Sequence, residues 1–226
     1  GFRHLYARGL RDADSFTQGL GERWMLETIV FKKYPSCGVT QGVTHQALDL
    51  VTALEVDAGN FAHAEVRMPP YACKLVGSPF ELGSNPRVNA QFSAQYCVAN
   101  VVLRGASRLE HFRPEAIRDP ALQPLIGKVR IVPDAAMDAR GHSAVDLRIT
   151  RSDGRSDQRS YDVSPGFPGR SLSAAEHRAR FDDCLAYAPH RLTAPAAEAT
   201  LAAIDGLAGL PDVLPMWQTL CQTAAP

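Results

Sequence analysis

The sequence predicts an α+β fold in which a two-layer sheet-and-helix domain is flanked by helices that pack on a separate all-helical domain. Three observations predict it. Short β-rich segments alternate with helical segments in the first half of the chain. A run of half-buried strands follows. The helices at both ends have apolar faces with no obvious partner in the sheet layer.

The bulk composition favours a soluble protein without a nucleic-acid or membrane partner. The 226 residues are 45% apolar and 21% charged, as in ordinary globular domains. Lysine plus arginine and aspartate plus glutamate balance at 24 each, so no overall field attracts nucleic acid or an acidic membrane surface. No apolar run approaches the ~20 residues of a membrane helix, and no signal pattern opens the chain. We therefore expect a cytoplasmic protein.

The cysteines and the missing motifs argue against metals, nucleotides and disulfides. The five cysteines are odd in number and scattered, without a Cys-x-x-Cys pair. There is no His-x-x-x-His pair, metal-type carboxylate cluster, Walker loop or Gly-x-Gly-x-x-Gly motif. We expect reduced thiols, no metal and no bound nucleotide.

The amino-terminal elements are predicted as two short helices and a strand. Apolar residues recur at roughly helical spacing over residues 2–20, with an acidic interruption at 12–14. Gly21 ends these helices. Residues 26–31 are β-branched and aromatic enough to predict a strand.

A helix and a second strand are predicted next. Thr40 is predicted to cap a helix that runs to about Asp57. Residues 61–68 alternate apolar and charged side chains before two prolines, as a half-buried strand does. Strand, helix and strand in succession suggest a crossover, so the two strands are parallel or separated by a third.

The following helix, predicted from Asn89 to Leu103, is apolar over most of its circumference and should be buried. Four polar residues nevertheless share a stripe roughly 60° wide: Asn89, Ser93, Tyr96 and Asn100. An unpaired buried hydroxyl or amide costs ~1–3 kcal/mol. Either other protein atoms or a ligand must therefore satisfy this stripe.

The remaining elements are short helices, strands and trailing helices. In order they are helices at 114–118 and 120–126, strands near 129–131 and 145–150, a strand ending at about Val163, and helices from Ser173, at 196–208 and at 211–221. Asp153-Gly154 supports a hairpin turn, because this pair tolerates the positive φ that a tight turn requires. Ser173 and Glu176 form a capping box.

These elements divide the chain into three predicted segments. Residues 1–21 are a helical lead-in, residues 22–190 are the α+β domain, and residues 191–226 are helices that return to the helical body. The opening without methionine is expected if the chain is the C-terminal part of a longer polypeptide.

The stretch 31–40 concentrates reactive side chains. It holds two of only four lysines, Lys32 and Lys33, which alternation places on opposite faces so that at most one points into a site. One of them could bind a carboxylate, and the alternative is a solvated strand end. Cys37 has no glycine elbow, which argues against a nucleophile.

Tyr96 and the pair of His45 and Asp49 each have both a chemical and a structural interpretation. Tyr96 could donate a phenolic proton at the bottom of a cleft, or could be a core tyrosine bonded to backbone. His45 and Asp49 could form an oriented base, although such an i, i+4 pair is more often a surface contact.

Three segments carry a more specific pattern. Residues 31–35 read Phe-Lys-Lys-Tyr-Pro, and residues 92–99 read Phe-Ser-x-x-Tyr-x-x-Ala. The Asp-Gly hairpin is followed by Gly-x-Pro at 166–168 and Leu-Ser at 172–173. In order and spacing these segments resemble the MmgE/PrpD family, which includes 2-methylcitrate dehydratase, cis-aconitate decarboxylase and iminodisuccinate epimerase.

The resemblance implies the C-terminal domain of a larger protein. In that family a larger all-helical N-terminal domain and an α+β domain enclose the active site, and the last helices return to the helical body. It also implies a bacterial, homodimeric, cofactor-free lyase or isomerase. Such enzymes remove or return a proton beside a carboxylate of a small di- or tricarboxylate. The histidines and aspartate for proton transfer would belong to the other half, so this fragment alone should be inactive.

By motif, the resemblance makes Lys32 and Tyr96 the catalytic residues of this chain. The predicted substrate-binding residues are Cys37, Ser93, Asn89, Gln91 and His45. Cys37 stands where the decarboxylase branch has histidine, which argues against decarboxylation of cis-aconitate. The function predicted is dehydration of the 2-methylcitrate type. Two alternatives stay open, an epimerase of the iminodisuccinate type and a non-catalytic binding or assembly module.

Overall fold

One mixed four-stranded sheet organises the protein, whose computed structural model describes residues 17–189 and 192–222. The strands are β1 (Phe61–Met68), β2 (Val129–Pro133), β3 (Val145–Arg151) and β4 (Ser156–Tyr161). The α-helices of the described part are α1 (Thr40–Leu54), α2 (Pro70–Val76), α3 (Pro86–Gln91), α4 (Ala94–Arg104), α5 (Pro114–Ile117), α6 (Leu122–Ile126), α7 (Ala174–Tyr187), α8 (Ala194–Asp205) and α9 (Leu214–Gln222). This arrangement confirms the α+β, two-layer class.

The strand order is β2-β1-β3-β4. β1 runs parallel to β2 and antiparallel to β3, and β3 and β4 form the predicted hairpin. Gly154 turns that hairpin with a φ of 86°, a conformation that glycine adopts without a steric penalty. The parallel crossover therefore joins β1 to β2 through the short helices α2 to α6.

The core lies between one face of the sheet and helices α1 and α4. Ala64, Val66 and Met68 of β1 are buried on this face, beside Leu147 and Ile149 of β3. The alternate residues along both strands are more exposed and mostly charged. Period-two burial with one wet face is what the alternating sequence predicts.

The strand predicted at residues 26–31 was wrong. Met25–Thr28 forms a 3-10 turn, and no described strand pairs with the residues after it. Met25 and Leu26 are 71% and 72% exposed, so their side chains pack on no surface of the described chain. Strand preference depends on such packing, which is why the local composition was misleading.

The single helix predicted from Asn89 to Leu103 was also wrong, because the chain breaks it into α3 and α4. Ser93 has extended backbone angles, and its hydroxyl accepts the N–H of Tyr96 at 3.1 Å. A serine at this position competes with the helix by capping the next one. The four polar residues therefore do not form one stripe.

Other local signals were confirmed. Ser173 and Glu176 form the predicted capping box, with reciprocal bonds of 3.2 Å and 2.8 Å. The two proline-marked short helices are α5 and α6, and the trailing helices are α8 and α9. The predicted helices at 2–20 lie mostly outside the described residues, which show only turn at 17–20. None of the described helices has the length and apolar character to cross a membrane.

Candidate functional site

The segment 31–38, which we call the signature turn, is held by one buried amide. Gln41 of α1 is fully buried, and the two N–H groups of its Nε2 are shared among the carbonyls of Tyr34, Ser36 and Cys37, which lie at 3.0 Å, 3.3 Å and 3.2 Å. Its Oε1 accepts the N–H of Tyr34 at 2.9 Å. A single side chain thus holds the backbone at Tyr34, Ser36 and Cys37.

Two other segments complete the support of the signature turn. Gln91 donates to the carbonyl of Pro35 at 3.0 Å, and its own carbonyl accepts the N–H of Cys37 at 2.9 Å. At the other end, the N–H of Phe31 donates to the carbonyl of Gly166 at 2.9 Å. Hydrogen bonds from three separate segments therefore fix the backbone of the signature turn.

The two lysines of the turn have different surroundings. Lys33 lies 2.6 Å from Glu176 of α7, and this contact with Lys33 lowers the pKa of Glu176 to about 2. Lys32 is exposed, and its ammonium makes no ion pair or hydrogen bond with a described residue. Of the two, Lys32 is the one available to an incoming anion.

A chain of polar side chains lies behind the turn. The hydroxyl of Tyr34 shares a 2.7 Å hydrogen bond with Nδ1 of His45. Nε2 of His45 lies 4.0 Å from Asp49, which accepts the hydroxyl of Tyr161 at 2.7 Å. The guanidinium of Arg170 lies 4.0 Å over the ring of Tyr161.

Burial sets the protonation of this chain. It raises the pKa of the Tyr34 phenol, with a further contribution from the negative charge of Asp49. Burial also lowers the pKa of His45, assisted by the nearby ammonium of Lys33. A neutral phenol and a neutral imidazole therefore meet at neutral pH, so this pair orients the turn without carrying charge.

The lowered pKa of His45 predicts that the stability of the fold depends on pH. Because the pKa of folded His45 lies below its unfolded value of about 6.5, the unfolded chain binds the proton first as the pH falls. Stability is thus present at neutral pH and lost below about pH 6.5, by at most about 1.4 kcal/mol per pH unit for this residue. Urea unfolding from pH 7.5 to 5.5 should show a smaller loss for His45→Asn than for wild type.

A second histidine also contributes to the pH dependence of stability in wild type and in His45→Asn. Burial lowers the pKa of His111 too, so its contribution remains in both proteins and the variant keeps part of the slope. Parallel stability curves for wild type and His45→Asn would contradict the assignment to His45.

Tyr96 lies fully buried in the core, away from solvent. Its hydroxyl donates to the carbonyl of His111 at 2.5 Å, and burial raises its pKa to about 12. Its ring contacts Phe80 and Phe112, each with a centroid distance of 5.4 Å. These contacts favour a packing role, and a catalytic role for Tyr96 stays a prediction.

The predicted substrate-binding residues fall into two groups. Cys37 and Gln91 are joined through the signature turn, and His45 contacts Tyr34 of the same turn. Asn89 instead donates to the carbonyls of Glu81 and Leu82, and Ser93 caps α4. Binding of substrate by any of these five residues stays a prediction.

A cleft of about 540 Å³ opens beside Lys33. Lys33 and Tyr34 line it from the turn, and Ser107 and Arg108 line it from the loop after α4. The third wall is α7, including Glu176. Lys32 is not among the residues that line this cleft. Within the described ranges, no group of three histidine, cysteine or acidic side chains is placed to hold a metal ion.

Sequence reasoning missed several residues of this region. Gln41 gave no signal beyond being a polar residue on a predicted helix. Tyr161, Arg170 and Glu176 lie more than a hundred residues from their partners in the turn and α1, and sequence periodicity carries no information on such pairs. Glu176 was recognised only as part of a capping box.

A scan against protein-family models matches residues 34–205 to the MmgE/PrpD C-terminal domain, which is more than half of the 226 residues. The chain belongs to the MmgE/PrpD family. Members of this family are generally lyases or isomerases. The matched range contains Tyr34, Gln41 and Gln91 and begins just after Lys32 and Lys33. A search of the curated proteins finds no match.

Proposed function

We propose that this chain is the C-terminal, carboxylate-binding domain of an MmgE/PrpD lyase or isomerase. The substrate class is a small di- or tricarboxylate, and the reaction is proton abstraction beside a carboxylate followed by elimination, as in a 2-methylcitrate dehydratase. The observation that carries the proposal is the family match over residues 34–205.

The geometry of the signature turn supports a role in binding an anion. Lys32 is an exposed ammonium without a described partner, on a backbone fixed by Gln41, Gln91 and Gly166. In the proposed reaction Lys32 pairs with a substrate carboxylate. It also stabilises the negative charge that develops when the neighbouring C–H bond is broken, without reorganising at the moment of reaction.

Exposed apolar side chains support a second body that completes the site. Trp24, Met25 and Leu26 are 61%, 71% and 72% exposed just before the turn, and Trp217 of α9 is 56% exposed. Consecutive exposed apolar residues such as Trp24, Met25 and Leu26 mark an interaction surface. We assign the partner as the N-terminal helical domain of the same protein. In this proposal that domain carries the residues that transfer the proton, and the complete protein is a homodimer.

Two alternatives are each supported by one observation. Cys37 on the signature turn suits a family member other than the decarboxylase, and an epimerase of the iminodisuccinate type is the chemically nearest one. Tyr96 is buried, and its hydroxyl donates to the His111 carbonyl. This suits a non-catalytic assembly module, because the phenol is then bonded inside the protein and is not offered to a substrate.

The experiment uses the complete gene product with four candidate substrates, 2-methylcitrate, citrate, cis-aconitate and iminodisuccinate. Proton NMR in D2O follows each one, because dehydration, epimerisation and decarboxylation all change a signal beside a carboxylate. We expect protein-dependent change in one of the four. A non-catalytic module would leave all four spectra unchanged.

A further inference from the structure

The cleft beside Lys33 has three carboxylates on its α7 wall, and each already has partners. Glu176 accepts Lys33 together with the N–H and hydroxyl of Ser173. Asp182 accepts Arg178 at 2.9 Å and 3.1 Å. The acceptors of these two residues are therefore committed inside the protein.

The third carboxylate is committed as well. Asp183 accepts the N–H of Leu109 at 3.3 Å and forms an ion pair with Arg180 at 3.7 Å. This ion pair is too long to be a hydrogen bond. It neutralises charge without satisfying the Arg180 N–H group.

Lys33 is paired with Glu176, but other donors of the cleft lack hydrogen-bond partners. The hydroxyl of Ser107 and Nη1 of Arg180 are buried and have no hydrogen-bond partner among the described residues. The neighbouring Arg108 is exposed, and its guanidinium donates no hydrogen bond and forms no ion pair with the described part of the chain. Buried donors are normally paired, so an unpaired cluster beside a free cation calls for acceptor oxygens from outside.

We propose that Ser107, Arg108 and Arg180 form a binding subsite for a small polycarboxylate in this cleft, separate from the Lys32 contact. A carboxylate supplies the acceptors that the three donors lack, and an arginine fork matches its two oxygens. The volume of about 540 Å³ admits a molecule of citrate size with its waters. The subsite rests on the proposed function only for the choice of carboxylate as the ligand.

The test is isothermal titration of the complete gene product with citrate, and separately with inorganic phosphate. Arg108→Ala should raise the Kd for citrate about tenfold or more, because a charge-assisted contact is lost. Ser107→Ala should raise it by a smaller factor without lowering the unfolding midpoint, since the buried hydroxyl has no partner in the protein whose loss would cost stability. Arg118→Ala, an exposed arginine outside the cleft, is the matched control and should bind citrate as wild type does.

Unchanged citrate affinity in both Arg108→Ala and Ser107→Ala would overturn the subsite. Equal weakening in Arg118→Ala would also overturn it, because the effect would then be one of overall charge. Binding of phosphate without citrate would overturn the assignment to carboxylates. Because titration needs no turnover, loss of the subsite is distinguishable from loss of the proposed activity, which Lys32→Ala tests.

Discussion

Replacing Lys32 by alanine in the complete protein lowers kcat/KM for the carboxylate substrate by about a hundredfold or more. In the proposed reaction this ammonium stabilises the negative charge that develops beside the substrate carboxylate. Lys32 has no ion pair or hydrogen bond with a described residue, so its removal costs no described contact. Steady-state kinetics should therefore show the loss of activity, while the urea midpoint of unfolding stays at the wild-type value.

The matched control for this substitution is Lys74→Ala. Lys74 is also an exposed lysine, but it lies on α2 outside the signature turn, so its loss changes net charge equally. We expect wild-type kinetics for Lys74→Ala. Wild-type kinetics for Lys32→Ala would remove Lys32 from the mechanism.

Replacing Gly166 by alanine destabilises the fold by about 3 kcal/mol or more. Gly166 has a φ of 83°, and a Cβ built there would overlap the carbonyl oxygen of Phe31. The same glycine accepts the N–H of Phe31, so the clash falls on the contact that holds the start of the signature turn. Urea unfolding of the purified variant measures the loss, provided that the m-value is unchanged.

Gly169→Ala separates this clash from simple backbone strain. Gly169 has a similar φ of 88°, but a Cβ there would meet nothing within 4 Å. It should cost only the roughly 1–2 kcal/mol of a left-handed alanine. Equal destabilisation by Gly166→Ala and Gly169→Ala would show that the contact with Phe31 is unimportant.

The parts of the fold that sequence predicted are those specified by neighbouring residues. The capping box of Ser173 and Glu176 and the Asp-Gly hairpin each satisfy their hydrogen bonds within a few positions. Period-two alternation also identified β1 and β3, because each has one face in the core. These signals are local, so they persist whatever the rest of the chain does.

The failures have the opposite cause. Residues 26–31 have the composition of a strand, but no sheet edge in the described chain receives them. At Ser93 the apolar pattern continues through a helix break, because periodicity does not show that a serine hydroxyl has taken the N–H of Tyr96. Tertiary context decided both outcomes.

Only the part of the candidate site formed by neighbouring residues was predicted from the sequence. The signature turn is contiguous, so its lysines, Tyr34 and Cys37 were visible together. Glu176 lies 143 residues from Lys33, and Tyr161 lies 112 residues from Asp49. Only the fold brings such pairs together, and the role of Gln41 as the buried support of the turn follows from the same packing.

Proton NMR in D2O shows directly whether the complete protein activates a C–H bond beside a carboxylate, as we propose. With 2-methylcitrate, citrate, cis-aconitate and iminodisuccinate as substrates, we expect protein-dependent conversion or deuterium incorporation in one of them, strongly slowed in Lys32→Ala. Unchanged spectra for all four, with a folded and complete protein, would contradict it.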